Sequence, residues 1–147
     1  MKVIYKLVLI LLTVSCAKAN YQNATSDVNE INSQNELCAK QFGQSSLCVD
    51  LVWEQLPTED LRGIFKLKFY RLEDPSVMVE PNLAPSVVLW MPSMGHGSAP
   101  VQIQKVSDGI YQISEVYFVM SGEWDIRVQQ KLGKEVIDQV TFPFVVE

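Results

Sequence analysis

Histidine occurs once in these 147 residues and cysteine three times, and no apolar run reaches the length of a membrane span. A single histidine means that any Ser-His-Asp arrangement would have to be built around His96, and nothing near it resembles a nucleophile elbow. Three cysteines leave no thiol nucleophile if two pair and one carries lipid. Glycine-rich phosphate loops are missing. The adjacent carboxylates Glu59-Asp60 and Glu73-Asp74 fall in turns, where they read as solvated surface. Basic residues are few as well, 12 against 17 acidic, for a net charge of −5. A chain of that balance repels phosphate backbones, so nucleic acid is not an expected partner. There is no long amphipathic helix and no internal repeat. These absences argue against an enzyme.

What is present begins with a leader. Lys2 and Lys6 flank the start of an apolar run, Val3 to Val14, interrupted by Tyr5, Lys6 and Thr13. A span needs about 20 apolar residues. A basic start before a shorter apolar segment is instead the mark of a secretory signal, assigned here to residues 1–15. Two cleavage readings compete. Leu12-Thr13-Val14-Ser15-Cys16 resembles a bacterial lipobox, apart from Thr13, and would make Cys16 the lipid-bearing first residue. The rival is an A-x-A site at Ala17-Lys18-Ala19, cut before Asn20. Cysteine arithmetic favours the first, because Cys38 and Cys48 form a natural pair in an oxidising compartment and leave Cys16 over. The expected location is then periplasmic or on the outer surface. A chain starting at Cys16 keeps 10 basic against 17 acidic residues, a net charge of −7. Anionic lipid would repel it, so attachment to a membrane would rest on acyl chains alone.

Residues 16–37 are polar, Asn-rich and poor in large apolar groups, and cannot bury enough surface to offset their ordering entropy. They read as a tether, with a short helix around residues 26–37 as the alternative. The folded domain is expected over 38–147. Nine residues separate Cys38 from Cys48, and closing that loop contributes roughly 2–3 kcal/mol in the chain-entropy model. Period-two alternation follows. Phe65, Leu67 and Phe69 alternate with Lys66 and Lys68; Trp124, Ile126 and Val128 with Asp125, Arg127 and Gln129. Val140, Phe142, Phe144 and Val146 repeat the pattern at the end. Further strands are expected at 48–54, 86–91, 101–106 and 109–120, the last as two strands or one bent one. Turn chemistry separates them at Asp74-Pro75, Pro81-Asn82, Ser107-Asp108-Gly109, Ser121-Gly122 and Leu132-Gly133-Lys134. About seven short strands at this spacing predict an all-β, immunoglobulin-like antiparallel β-sandwich, with a compact barrel as the alternative.

One segment carries chemistry: Trp90-Met91-Pro92-Ser93-Met94-Gly95-His96-Gly97-Ser98. Met91 closes an apolar strand, and Met94 and His96 follow in an expected loop between glycines. Positions two apart in an extended backbone project to one side, which would let Met94 and His96 converge on one ion. Thioether sulfur suits Cu(I), and imidazole suits both copper states. Two ligands rarely suffice, and Met91 and Met120 are the further candidates, with Trp90 or Trp124 as an aromatic cover. The competing reading is packing, since methionine fills irregular core gaps. It weighs more on Met91 and Met120, which end apolar strands, than on Met94 and His96. Met78, between Val77 and Val79, reads as packing.

The same run, with Gly109-Ile110-Tyr111 and Tyr117-Phe118-Val119-Met120-Ser121-Gly122-Glu123-Trp124-Asp125-Ile126, resembles the YtkA-like and FixH-like domain family. Its pattern is an "MPxMGH" loop, a "GxY" strand and an "F-x-M-x-G-x-W" strand pair. The likeness covers roughly residues 48–146. It implies an immunoglobulin-like sandwich outside the cytoplasm and a link to copper handling, including supply to respiratory oxidases. Carried over, the metal ligands would be Met91, Met94, His96 and Met120. FixH itself has a transmembrane anchor, which the short leader here does not match. The function expected is therefore an exported copper-binding carrier or chaperone with an acceptor protein as partner. The alternative is a metal-free interaction module, in which Trp90, Met91 and Met94 contact a subunit of a membrane complex.

Overall fold

The computed structural model describes residues 38–147. The leader at 1–15, the tether at 16–37 and lipid attachment at Cys16 lie outside the described residues. Within them every regular element is a strand: β1 Lys40–Gln41, β2 Leu47–Gln55, β3 Gly63–Arg71, β4 Asp74–Met78, β5 Pro85–Met91, β6 His96–Gly97, β7 Gln102–Ser107, β8 Ile110–Val116, β9 Gly122–Leu132 and β10 Glu135–Val146.

All pairings are antiparallel, in two sheets. One runs β1-β2-β3-β8-β7 with β4 added to β3; the other runs β10-β9-β5-β6. Setting aside the short β1, β4 and β6 leaves seven strands. Their orders are first-second-fifth-fourth in one sheet and sixth between third and seventh in the other, which is the immunoglobulin-like arrangement. Two separate sheets also exclude the closed barrel.

The alternation explains why the sheets face one another. Phe65, Leu67 and Phe69 of β3 are fully buried, while Lys66 and Lys68 between them reach the outer surface. Leu89 and Met91 of β5 and Trp124, Ile126 and Val128 of β9 supply the opposing layer. One end of this core is aromatic. Phe118 stacks on Phe144 at 4.7 Å between centroids, and Trp124 and Trp53 tilt against that pair at 5.2 and 5.1 Å. Such contacts add about 0.5–1.5 kcal/mol each beyond area burial.

Three details depart from the sequence expectation. Asp74-Pro75, expected as a turn, opens β4, an added strand where proline's missing N–H costs no ladder bond. The 109–120 stretch is one strand, β8, followed by a crossover to the second sheet; Glu115, at a φ of 58°, sits in a bulge where β8 shifts register between its pairings with Phe65 and Gly63. His96 and Gly97, expected in a loop, form β6. Cys38 and Cys48 are joined, with Cα atoms 5.4 Å apart. The bond ties the segment entering β1 to β2, within one sheet and not between the two.

Candidate functional site

The β5–β6 hairpin builds the site. Val87, Leu89 and Met91 point inward along β5, and the chain then reverses over Pro92–Gly95. Proline at the second position of the turn presets its φ. The N–H groups of Met94 and Gly95 both donate to the Met91 carbonyl, at 3.3 and 2.9 Å. Gly95 sits at φ 65°, where a side chain is strained. The return strand pairs Met91 with His96 and Trp90 with Gly97, and the Ser98 N–H closes on the Leu89 carbonyl at 3.0 Å. At Gly97 a Cβ would stand 3.0 Å from that same carbonyl, so the hairpin closes tightly only with glycine there.

Register decides which side chains meet. Residues directly opposite in an antiparallel pair project to the same face. His96 therefore joins Met91 on the inner face, at the exposed edge of the second sheet. Its ring stands 6.0 Å from that of Trp124, at 78°. Imidazole Nδ1 lies 3.1 Å from the Gly97 carbonyl oxygen. That oxygen only accepts, so Nδ1 carries the proton and Nε2 of the neutral ring keeps its lone pair. This is the tautomer that a metal-binding histidine adopts when a backbone carbonyl orients it.

The four candidate ligands are not equivalent. Met91 is 2 % exposed, and its Cε lies 3.0 Å from where a Cβ on Gly122 would stand. Gly122, at φ 129°, leaves room for the thioether methyl. Met94 is 61 % exposed at the tip of the turn, and Met120 is 36 % exposed just before β9. The extended path from Met94 to His96 is not observed, because Gly95 bends the chain between them. Met91, read as the more doubtful partner, is the residue that the ladder sets beside His96. Among the described residues no three His, Cys, Asp or Glu side chains gather to hold a metal.

Of Trp90 and Trp124, the two candidates for an aromatic cover, only Trp124 bears on the site. Trp90 faces outward beneath the Arg127 guanidinium, 5.1 Å from its ring centre, and Asp125 holds that arginine at 2.9 Å. Trp124 points inward, and its indole N–H donates to the Met120 carbonyl at 3.1 Å. Neighbouring loops brace the region. The Ser98 hydroxyl donates to the Tyr117 carbonyl, and Arg62 lies over the Tyr117 ring at 4.0 Å. The sequence marks Gly97 as a residue that lets the loop close, and Gly122 as a turn residue within the F-x-M-x-G-x-W pattern. Their close contacts, with the Leu89 carbonyl and the Met91 methyl, come from the tertiary structure.

The remaining polar clusters are staples. Glu80 accepts from the Gly109 N–H at 2.9 Å and the Tyr111 hydroxyl at 2.5 Å, and pairs with Lys105 at 3.1 Å. The Gly109 N–H, followed by the Tyr111 hydroxyl, holds its carboxyl below the usual range. Burial, and then the bond to Glu80, pushes the Tyr111 phenol up to about 12. Tyr70 is likewise pushed up to about 12, by burial first and then by its 2.7 Å bond to Asp50. The first cluster pins the Glu80 segment to the first sheet, and the second ties β2 to β3 within it.

Compared with family models, with curated proteins and with solved structures, the chain matches none of them. No match supports the resemblance to YtkA-like and FixH-like domains expected from the sequence.

Proposed function

We propose that this protein is an exported Cu(I) carrier, lipid-anchored through Cys16 at the periplasmic or outer surface, and not an enzyme. It would hold the ion at the β5–β6 hairpin and pass it to an acceptor protein by ligand exchange. The observation that carries the reading is His96: its Nδ1 is committed to the Gly97 carbonyl, its Nε2 is free, and its ring sits on the sheet rim across from Met91. Met94 at the turn tip supplies an accessible thioether, and Met120 lies on the neighbouring crossover. A donor set of one imidazole with thioethers favours Cu(I) over calcium, magnesium or zinc. Exposed ligands suit a carrier, because an acceptor must reach them to exchange the ion.

The test is Cu(I) competition against bicinchoninate, on the wild type and on Met94→Ala/His96→Ala. The expected result is one Cu(I) per chain and a loss of more than about tenfold in affinity in the double variant. Unchanged stoichiometry and affinity would sink the site.

A second reading has its own support. Met94, Val119 and Met120 are exposed apolar side chains on loops at this end of the sandwich, as an adaptable contact surface for a membrane-complex subunit requires. Trp90 and Met91, covered by Arg127 and by the core, drop out of that surface. Met94→Leu separates the readings. It keeps the apolar contact and removes the sulfur, so it is silent for a docking surface and costly for a Cu(I) site.

A further inference from the structure

We infer that Trp124 is the positioning residue of the Cu(I) site, holding the His96 strand and the Met120 crossover in one arrangement. The inference rests on the Cu(I) reading. His96 and Met120 belong to segments distant in sequence, and no strand pair joins the crossover to β6. Trp124 touches both. Its ring meets the imidazole at 6.0 Å in an edge-to-face arrangement, and its indole N–H is spent on the Met120 carbonyl at 3.1 Å. The ring itself cannot drift, because it is 1 % exposed and packed on Phe118 at 5.2 Å. Gly122, between Met120 and Trp124, takes a φ of 129°, and the Met91 methyl fills the space that a side chain there would occupy.

A buried donor with one acceptor is a directional constraint. Losing it would leave the Met120 carbonyl, and with it the backbone that carries the thioether, free to turn. Its place is that of an outer partner orienting a metal ligand, where removal costs about 10–100-fold in affinity. Trp124 acts here through His96 and Met120 and is not itself a ligand.

The probe is Ag(I), a redox-inert stand-in for Cu(I), titrated into the full chain. Affinity is read by competition and ligand engagement by methionine-methyl and indole N–H resonances. In the wild type, the Met120 methyl, the His96 ring and the Trp124 indole N–H should all shift and saturate together. Trp124→Phe keeps an aromatic ring in the core and loses the N–H. Met120→Leu keeps the carbonyl that accepts the bond and loses the sulfur. Each should weaken Ag(I) by about tenfold, and the double variant by no more than either alone, because both remove the same ligand. In Trp124→Phe the Met120 methyl should stop responding while His96 still shifts. Losses that multiply to about a hundredfold overturn the inference, as does wild-type affinity in Trp124→Phe. An indole N–H that ignores Ag(I) in the wild type overturns it without recourse to any variant. Wild-type binding with an unresponsive Trp124 leaves the Cu(I) reading standing; no wild-type binding removes both.

Discussion

Truncating Met91 to alanine separates core packing from metal ligation at the most ambiguous residue of the site. The side chain is 2 % exposed, packed onto Gly122 and in the layer formed by Leu89 and Trp124. Met91→Ala removes Cγ, Sδ and Cε. The transfer term for a fully buried methionine is about 1.5–3 kcal/mol. The cavity left behind adds to it, and large-to-alanine changes in cores cost about 2–5 kcal/mol in total. Met91 lies at the end of β5, and only the two-residue β6 covers it on that side, so partial collapse keeps the cost near the middle, about 3 kcal/mol. The assay is urea unfolding followed by tryptophan fluorescence on the metal-free protein. With a urea slope of about 1.5 kcal/mol/M the midpoint should fall by about 2 M at unchanged slope. Met91→Leu conserves volume and should cost less than about 1.5 kcal/mol. A loss below about 1 kcal/mol for Met91→Ala would refute the core role. If Met91→Leu retains stability but loses Cu(I) affinity, the thioether is a ligand as well as a filler.

Three further outcomes follow from the same coordinates. Gly109→Ala should destabilise by about 3 kcal/mol or more, measured by urea unfolding. Its Cβ would meet the Val79 backbone at 2.7 and 2.8 Å and the Phe69 carbonyl at 2.9 Å, at a φ of 67°; a loss under about 1 kcal/mol would contradict this packing. Replacing both cysteines, Cys38→Ser/Cys48→Ser, should lower stability by roughly 2–3 kcal/mol without altering Ag(I) affinity, because the bond lies in the first sheet, away from β6. A changed affinity in that double variant would show that the two regions communicate. Tyr70 and Tyr111 are both pushed up to about 12 in the folded state. Their contribution is full below the ordinary tyrosine range and disappears as pH rises through about 12. Stability should therefore fall in that alkaline window, and Tyr70→Phe/Tyr111→Phe should flatten the fall. Unfolding curves that fall equally steeply in the double variant would exclude these phenols as the cause.

The strands were legible because a half-buried sheet writes its two faces into alternate residues. Phe65, Leu67 and Phe69 point inward for that reason, and so do Trp124, Ile126 and Val128. The short elements were not legible. A two-residue strand such as β6 has no period to detect, and it exists because β5 offers Trp90 and Met91 an edge to pair with. The extended-backbone argument failed at Gly95 because a glycine flanked by turn residues is as free to take positive φ as negative.

From the sequence alone came the all-β sandwich, the outward charges, the pairing of Cys38 with Cys48 and the soft-donor character of the 90s segment. Composition and nearest-neighbour pattern are enough for these, since they depend on which residues alternate and which chemical groups are present. Tertiary structure decided the rest. Pairing register set His96 opposite Met91 instead of beside Met94, and sheet layering turned Trp124 inward and Trp90 outward. Trp124, bonded to the Met120 carbonyl and set edge-to-face against His96, linked the crossover to a hairpin distant in sequence. Those relations depend on where separate strands lie against each other, which burial over the whole chain determines and no single segment encodes.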